Sequence, residues 1–170
     1  GARTRAEAGP GWMGVGVAWG GRGGGAPVAI SNGGRLNSGG GSYLGVASGS
    51  TGTATVDGAG SNWTSIGNVG IGNTGNGTLT ISNGGAMING GVGVLGLSAG
   101  AFGTATVDGA GSKWANGDLL YVGNDGTVTL TISNGGAVSH TYAYIAPNSG
   151  STGSATVQGA ASTWPTTRTT

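Results

Sequence analysis

The sequence predicts an all-β protein, a parallel β-helix of about six coils of about 25 residues each, on three observations. The motif I-S-N-G-G occurs at 30–34, 81–85 and 132–136, spaced by 51 residues both times. The ten residues G-T-A-T-V-D-G-A-G-S occur at 52–61 and 103–112, and G-S-A-T-V-Q-G-A-A-S occupies 153–162. Both motifs are variants of T-x-T-[I/V] followed by a glycine-rich turn, and the last apolar position of this pattern recurs six times at half the spacing of the longer motifs. Such a period is typical of a solenoid.

Each unit opens with a short predicted strand. In T-L-T-I at 78–81 polar and apolar residues alternate, which places Leu79 and Ile81 on one side. Thr, Val and Ile favour strands, and the Asn, Asp and Gly that follow tolerate left-handed turns. The predicted inward ladder ends in Ile30, Val56, Ile81, Val107, Ile132 and Val157.

A second apolar ladder is predicted at the same period. It consists of Val46, Ile71, Leu97 and Val122. Its last copy, around Tyr144 and Ile145, is expected to slip in register, because Pro147 falls where a valine belongs.

The doubling of the period to 51 residues has a packing explanation. The first inward position alternates in size through Val28, Ala54, Leu79, Ala105, Leu130 and Ala155. A tryptophan follows only in the alanine coils, at Trp63, Trp114 and Trp164, whereas Leu36, Met87 and Val138 stand near that place in the others. Because a protein interior is close-packed, we expect each alanine to make room for a tryptophan plug. A β-propeller also has blades of about 40–50 residues and is the alternative, but the half-period favours the β-helix.

Composition excludes several classes of function. The chain has 170 residues, 43 of them glycine, a formal net charge of +1 and no cysteine. Its six scattered cations form no stripe for nucleic acid or an anionic membrane. No run of about 18 apolar residues could span a membrane as a helix. We expect a degenerate or flexible segment at 1–25, a β-helix domain at 26–164 and a tail at 165–170, both ends being cuts or degenerate coils.

The repeat units resemble a known family. L-T-I-S-N-G-G-A at 79–86, G-T-A-T-V-D-G-A-G-S-x-W at 52–63 and 103–114, and Y-V-G-N at 121–124 are similar to the glycine-rich, type V secretion-associated repeat of bacterial autotransporter passengers. The same repeat occurs in some exosortase-sorted (PEP-CTERM) surface proteins. The resemblance covers about residues 26–164. It implies a secreted, right-handed β-helix at the cell surface of a Gram-negative bacterium, associated with the outer membrane through a C-terminal region outside this segment.

Few residues suit chemistry. Asp57 and Asp108 hold equivalent positions about 10 Å apart by strand spacing, and paired carboxylates can invert a glycoside, but we expect turn aspartates that accept from backbone N–H groups. Asp118 and Asp125 are too few for calcium, which takes six or more oxygens. His140 is expected to be an exposed turn residue, and G-V-G-V-L-G at 91–96 lacks the G-K-[S/T] of a phosphate loop. The sequence therefore predicts no enzyme, no cofactor and no metal site.

The surface feature with most functional content is an outward ladder of hydroxyl residues on the T-x-T strands. Its rungs are Thr53 and Thr55, Thr78 and Thr80, Thr104 and Thr106, Thr129 and Thr131, and Ser154 and Thr156. Ice-binding β-helices use such grids, although threonine is also simply a good exposed strand residue. The predicted function is a stiff structural stalk that mediates adhesion or self-association. The alternative is a glycan-binding or ice-binding module, and a carbohydrate-active enzyme is less favoured. Predicted partners are glycans, a host or neighbouring-cell surface, or sister chains, but no nucleic acid.

Overall fold

The protein is a parallel β-solenoid. The structure, a computed structural model, describes the backbone of residues 17–19 and all of residues 27–167, and in that part of the chain it contains strands and turns but no helix. The strands are, in chain order, β1 (Val17–Trp19), β2 (Val28–Ile30), β3 (Arg35–Ser38), β4 (Ser42–Leu44), β5 (Thr51–Asp57), β6 (Asn62–Ser65), β7 (Val69–Ile71), β8 (Asn76–Ser82), β9 (Ala86–Asn89), β10 (Gly93–Leu95), β11 (Phe102–Asp108), β12 (Lys113–Asn116), β13 (Leu120–Val122), β14 (Thr127–Ser133), β15 (Ala137–Ser139), β16 (Ala143–Ile145) and β17 (Thr152–Gln158).

Each coil contributes one strand to each of three parallel sheets. The threonine sheet has the order β17-β14-β11-β8-β5-β2, the tryptophan sheet β15-β12-β9-β6-β3, and the tyrosine sheet β1-β4-β7-β10-β13-β16. The predicted fold class is therefore confirmed, but the coil count is about five and not six. After β17 the described residues add only isolated bridges at Thr163 and Thr166, so the last repeat does not complete a three-stranded coil. The right-handed winding stays a prediction.

The described residues leave the domain boundaries as predictions. Most of the predicted 1–25 segment and the end of the 165–170 tail lie outside them. Within them, the structure has no helix that is long and apolar enough to cross a membrane.

The threonine sheet has the predicted register. Val28, Ala54, Leu79, Ala105, Leu130 and Ala155 form one column, and Ile30, Val56, Ile81, Val107, Ile132 and Val157 form the next. All of these side chains are buried except those on β17, where Ala155 is half-buried and Val157 is 44% exposed. β17 is the last strand of its sheet in the chain, and the described residues after it add only isolated bridges, so no complete coil covers it.

The tryptophan sheet confirms the core-plug prediction for two of its members. Trp63 and Trp114 are 0% exposed and lie in one column with Leu36, Met87 and Val138. Trp164 is half-buried and packs against the same core. The alternation in this column therefore matches the alternation of alanine with larger residues in the threonine sheet.

The prediction of the second ladder was wrong at two of its four residues. Its column in the tyrosine sheet is Leu44, Ile71, Leu95, Val122 and Ile145. Val46 and Leu97 lie two residues later, in half-buried loop positions. The predicted slip at Ile145 is also wrong, because Ile145 pairs with Val122.

The error came from assuming a constant step between coils. In this column the step from Leu44 to Ile71 is longer than the step from Ile71 to Leu95, since the connections alternate in length. Residues 45–50 connect β4 to β5, whereas the shorter segment 72–75 connects β7 to β8. A full repeat unit is therefore two coils with different loops.

The short turn after β2, β8 and β14 explains the repeated S-N-G-G. Asn32, Asn83 and Asn134 have φ of 54°, 51° and 51°, and the glycine that follows each is also left-handed. Gly85 N–H donates to the Ser82 carbonyl at 2.9 Å, and the two equivalent turns close in the same way. Positive φ at both central residues is the type I′ turn, which favours Asn-Gly.

Candidate functional site

The predicted threonine face exists as a continuous set of columns on the outside of the threonine sheet. One column contains Thr53, Thr78, Thr104, Thr129 and Ser154, and the other contains Thr55, Thr80, Thr106, Thr131 and Thr156. Parallel strands lie about 4.8 Å apart, and alternate residues along one strand are about 6.6 Å apart, so the hydroxyls form a regular grid. The structure thus brings together every residue of the predicted face.

The two threonine columns are uncharged and only moderately exposed, and the next outward column of the same sheet contains Asp57 and Asp108. Thr55, Thr104, Thr129 and Thr156 are exposed, and the other five threonines are half-buried by their neighbours across coils. Such a surface can donate and accept hydrogen bonds and can offer methyl groups.

Sequence reasoning missed the largest apolar group on this face. Phe102 is 55% exposed and lies beside Asn76 and Thr127 in the outward column next to the threonines. The signal was present, because A-F-G-T-A-T-V-D-G at 101–109 aligns with S-T-G-T-A-T-V-D-G at 50–58, and phenylalanine replaces Thr51. Phe102 therefore interrupts an otherwise flat grid with an aromatic ring.

Asp57 and Asp108 do not act together, since each binds the coil that follows it. Asp57 Oδ1 accepts from Ser82 Oγ and from Asn83 Nδ2, both at 2.7 Å. Asp108 Oδ1 accepts from Ser133 Oγ at 2.6 Å and Asn134 Nδ2 at 2.7 Å. We call each of these arrangements an aspartate clasp. The expectation that these carboxylates accept from backbone N–H groups was wrong, because the donors are side chains.

Both clasps favour the ionised carboxylates. The hydrogen bond from Ser82, and then that from Asn83, lowers the pKa of Asp57. Ser133 and Asn134 lower the pKa of Asp108 in the same way. A general acid needs a raised pKa, so these aspartates are poorly suited to protonate a leaving group.

The coils that carry Asp57, Asp108 and Gln158 also bind the coil that precedes each of them. The serine that ends each G-A-G-S or G-A-A-S turn accepts from a backbone N–H of the earlier Asn-Gly turn. The contacts are Gly33 N to Ser61 Oγ at 3.1 Å, Gly84 N to Ser112 Oγ at 3.0 Å, and Gly135 N to Ser162 Oγ at 3.0 Å. The Asp57 and Asp108 coils are therefore hydrogen-bonded to the coils on both sides, which contain I-S-N-G-G and are called serine coils below.

Asp118 and Asp125 form no metal centre in the part of the chain that the structure describes. Asp125 accepts hydrogen bonds from Asn124 Nδ2 at 2.6 Å and from Asn148 Nδ2 at 3.0 Å. Asp118 accepts from Thr141 N–H through its backbone carbonyl. No group of three or more His, Cys, Asp or Glu side chains converges among residues 27–167. The stretch at 91–96 is also not a phosphate loop, because Gly93–Leu95 is strand β10.

The prediction that His140 is exposed was wrong. His140 is 4% exposed and packs edge-on against Trp164, with ring centroids 5.6 Å apart. It continues a buried polar column, whose other members are Ser38, Ser65, Asn89 and Asn116. Burial lowers the pKa of His140 and favours the neutral ring, and its Nδ1 has no hydrogen-bond partner.

This polar column serves the tryptophans. Trp114 Nε1 donates to Asn89 Oδ1, in the preceding coil, at 2.9 Å. Asn89 in turn donates to the Gly91 carbonyl at 2.7 Å. Trp63 Nε1 and Trp164 Nε1 have no such partner, so the two fully buried tryptophans differ in their hydrogen bonding. The column is thus structural rather than a solvent-facing site.

Comparison with known proteins found an adhesin. The chain is 36% identical over 102 residues to the adhesin BmaC autotransporter of Brucella suis biovar 1 (strain 1330). The match covers 58% of this chain but 3% of that protein, so the chain spans a small fraction of the relative's length. No family model matches, and no solved structure gives a significant match. The similarity and the parallel β-solenoid together fit a passenger segment of an autotransporter.

Proposed function

We propose that this chain is a stiff, non-catalytic stalk segment of a secreted adhesive protein at the surface of a Gram-negative bacterium. In this proposal its repeat belongs to the glycine-rich, type V secretion-associated family, and a C-terminal region outside the segment holds it at the outer membrane. The observation that carries the proposal is the unbroken stack. The threonine sheet keeps one register from Val28 to Gln158, over a single apolar core.

The stack supports a mechanical function because every inner coil is held on both sides. Parallel ladders join neighbouring coils in three sheets, and the aspartate clasps and serine contacts add side-chain bonds at one corner. Repeat proteins of this kind derive stability from nearest-neighbour interfaces, so the stack can extend without a larger core.

Surface display with limited proteolysis tests the stalk. The chain is placed between an export signal and a membrane anchor, with an epitope at its outer end. We expect the native segment to resist protease and keep the epitope, and Trp114→Ala to be cut within its coils, since that change removes a fully buried side chain. Equal cleavage of the two proteins would contradict a rigid stalk.

A second candidate function is binding of neutral glycans by the threonine face. Two hydroxyl columns in register over five rungs support it, and the exposed ring of Phe102 favours sugars, whose apolar faces pack on aromatic rings, over a flat ice surface. Host-cell or neighbouring-cell glycans would be the ligands.

Matched lysine variants separate these possibilities. Thr80→Lys and Thr106→Lys place charges on the threonine face, and Ala115→Lys places one on the outside of the tryptophan sheet. For glycan binding we expect the threonine variants to lose adhesion and Ala115→Lys to keep it. Thermal hysteresis of the same proteins tests ice binding, and light scattering tests self-association. Unchanged adhesion of all three variants would leave the segment a stalk only.

A further inference from the structure

The three Asn-Gly turns of the I-S-N-G-G motifs have the same local sequence but differ in the hydrogen bonds of the asparagine side chain. Each lies in I-S-N-G-G, has an exposed asparagine and adopts the same left-handed conformation. The amides of Asn83 and Asn134 donate to a carboxylate, at 2.7 Å in both cases. The amide of Asn32 donates to no side chain among the described residues.

We propose that these turns are sites of spontaneous conversion of asparagine to isoaspartate, that the aspartate clasps protect Asn83 and Asn134, and that Asn32 is the reactive one of the three. An asparagine followed by glycine is open to this reaction because no side chain shields the attacking nitrogen. Asparagine is accordingly among the thermolabile residues that heat-stable proteins reduce.

The reaction needs only water and balances without an oxidant. The Gly33 nitrogen, after losing its proton to solvent base, attacks the side-chain carbonyl carbon of Asn32. The new C–N bond closes a five-membered imide as the bond to the side-chain nitrogen breaks, and ammonia leaves. Water then opens the imide at either carbonyl, which gives aspartate or isoaspartate. One water is consumed and one ammonia is released.

Both reacting groups are restrained in the clasped turns. Asp57 holds the Asn83 amide, so its carbonyl carbon cannot swing toward the backbone unless the clasp opens. The attacking nitrogen, that of Gly84, is held by its bond to Ser112 Oγ at 3.0 Å. Asn32 has the second restraint, from Ser61, but among the residues that the structure describes it has no counterpart of the first.

The consequence for the fold is local but severe. Isoaspartate adds a methylene to the backbone, and a type I′ turn tolerates no extra atom between its two left-handed residues. Conversion at Asn32 would therefore separate Gly33 N–H from Ser61 Oγ and loosen the first serine coil from its neighbour.

Peptide mapping of the intact chain tests this proposal. After incubation at mildly alkaline pH, mass spectrometry measures isoaspartate in the three peptides of each sample. A hydrogen bond to a charged group must be given up to react, so we expect conversion at Asn32 to be at least about tenfold faster than at Asn83 and Asn134. In urea the three rates should converge, because the local sequences are identical. Equal rates in the folded chain would overturn the proposal.

Two matched variants exclude simple fraying of the first coil. Asp57→Ala, which removes the carboxylate without creating a new Asn-Gly pair, should accelerate conversion at Asn83 and leave Asn134 unchanged, and Asp108→Ala should do the reverse. Hydrogen exchange of the Gly85 and Gly136 amides, which close the two turns, reports whether each turn stays folded. An unchanged rate at Asn83 in Asp57→Ala would show that the clasp protects nothing. If a variant unfolds, the comparison within the native chain still decides.

Discussion

Replacing Trp114 by alanine is the sharpest test of how the solenoid is packed. The side chain is 0% exposed, and its column neighbours are Met87 and Val138 in the adjoining coils. Trp→Ala changes in a core cost about 3–5 kcal/mol, because burial is lost and a cavity remains. The change also removes the donor to Asn89 Oδ1, which lies on a residue 1% exposed, and a deprived buried acceptor costs about 1–3 kcal/mol.

Trp63→Ala is the matched control. Trp63 is equally buried and occupies the equivalent place one two-coil unit earlier, but its Nε1 has no partner. The two variants therefore share the cavity and differ in the hydrogen bond. We expect Trp114→Ala to be the more destabilising of the two, by about 1 kcal/mol.

Urea unfolding followed by circular dichroism measures both free energies. Native-state hydrogen exchange on β9, β12 and β15 shows whether the loss is confined to the neighbouring rungs, as nearest-neighbour stability in a repeat protein requires. A loss below about 1 kcal/mol for Trp114→Ala would refute the core-plug reasoning, since it is far below the range for buried tryptophan.

Four further changes have defined outcomes. Ala161→Gly should raise the free energy of unfolding by about 1 kcal/mol, and with it the melting temperature, because Ala161 has a φ of 63° where the equivalent turns have glycine. An unchanged melting temperature would mean that the turn relaxes around Ala161. The pKa values of Asp57 and Asp108 are lowered in the folded chain, so the stabilisation by these carboxylates is present above about pH 4 and is lost as the pH falls through the folded values. In an acid titration, the stability of a variant with both Asp57→Asn and Asp108→Asn should therefore change less with pH than that of the native chain. The lowered pKa of His140 implies a loss of stability as the pH falls below about 6.5, which His140→Asn should abolish in melts at about pH 7.5 and 5.5. Deleting a two-coil unit should leave a stable stack, and deleting a single coil should leave one with a much lower melting temperature.

The regular parts of the fold were predictable from the sequence because they repeat without insertion. The T-x-T strands keep a nearly constant step from coil to coil, so Ala54 and Leu79 could be placed in one column directly. The tyrosine sheet was not predictable in the same way. The steps between its coils alternate between longer and shorter but average to the same period. Val46 and Leu97 therefore looked periodic, although Leu44 and Leu95 are the residues that point into the core.

The site residues were less predictable because their roles depend on the neighbouring coil. The threonine columns followed from register alone. The aspartate clasp did not, since Asp57 binds Ser82 and Asn83 of the following coil, and single-coil reasoning looks for partners within the same turn. His140 was misplaced because the polar column of Asn89 and Asn116 has no apolar pattern that would indicate burial.

The clasps also identify the structural unit of this protein as two coils. Deleting residues 58–108 removes one whole unit and joins Asp57 to Gly109, which recreates G-T-A-T-V-D-G-A-G-S without a new junction. In the shortened chain Asp57 would face Ser133 and Asn134, as Asp108 does in the native one.

Deleting residues 57–81 removes a single coil and joins Val56 to Ser82, which is also in register. The resulting rung would combine Ala54 with Met87, however, and would lack both Leu79 and Trp63. Because its interior is underfilled and one clasp is lost, the one-coil deletion should melt at a much lower temperature than the two-coil deletion, although the two-coil deletion leaves the shorter chain. A higher melting temperature for the one-coil deletion would show that chain length, and not the alternation of large and small rungs, sets the stability of the stack.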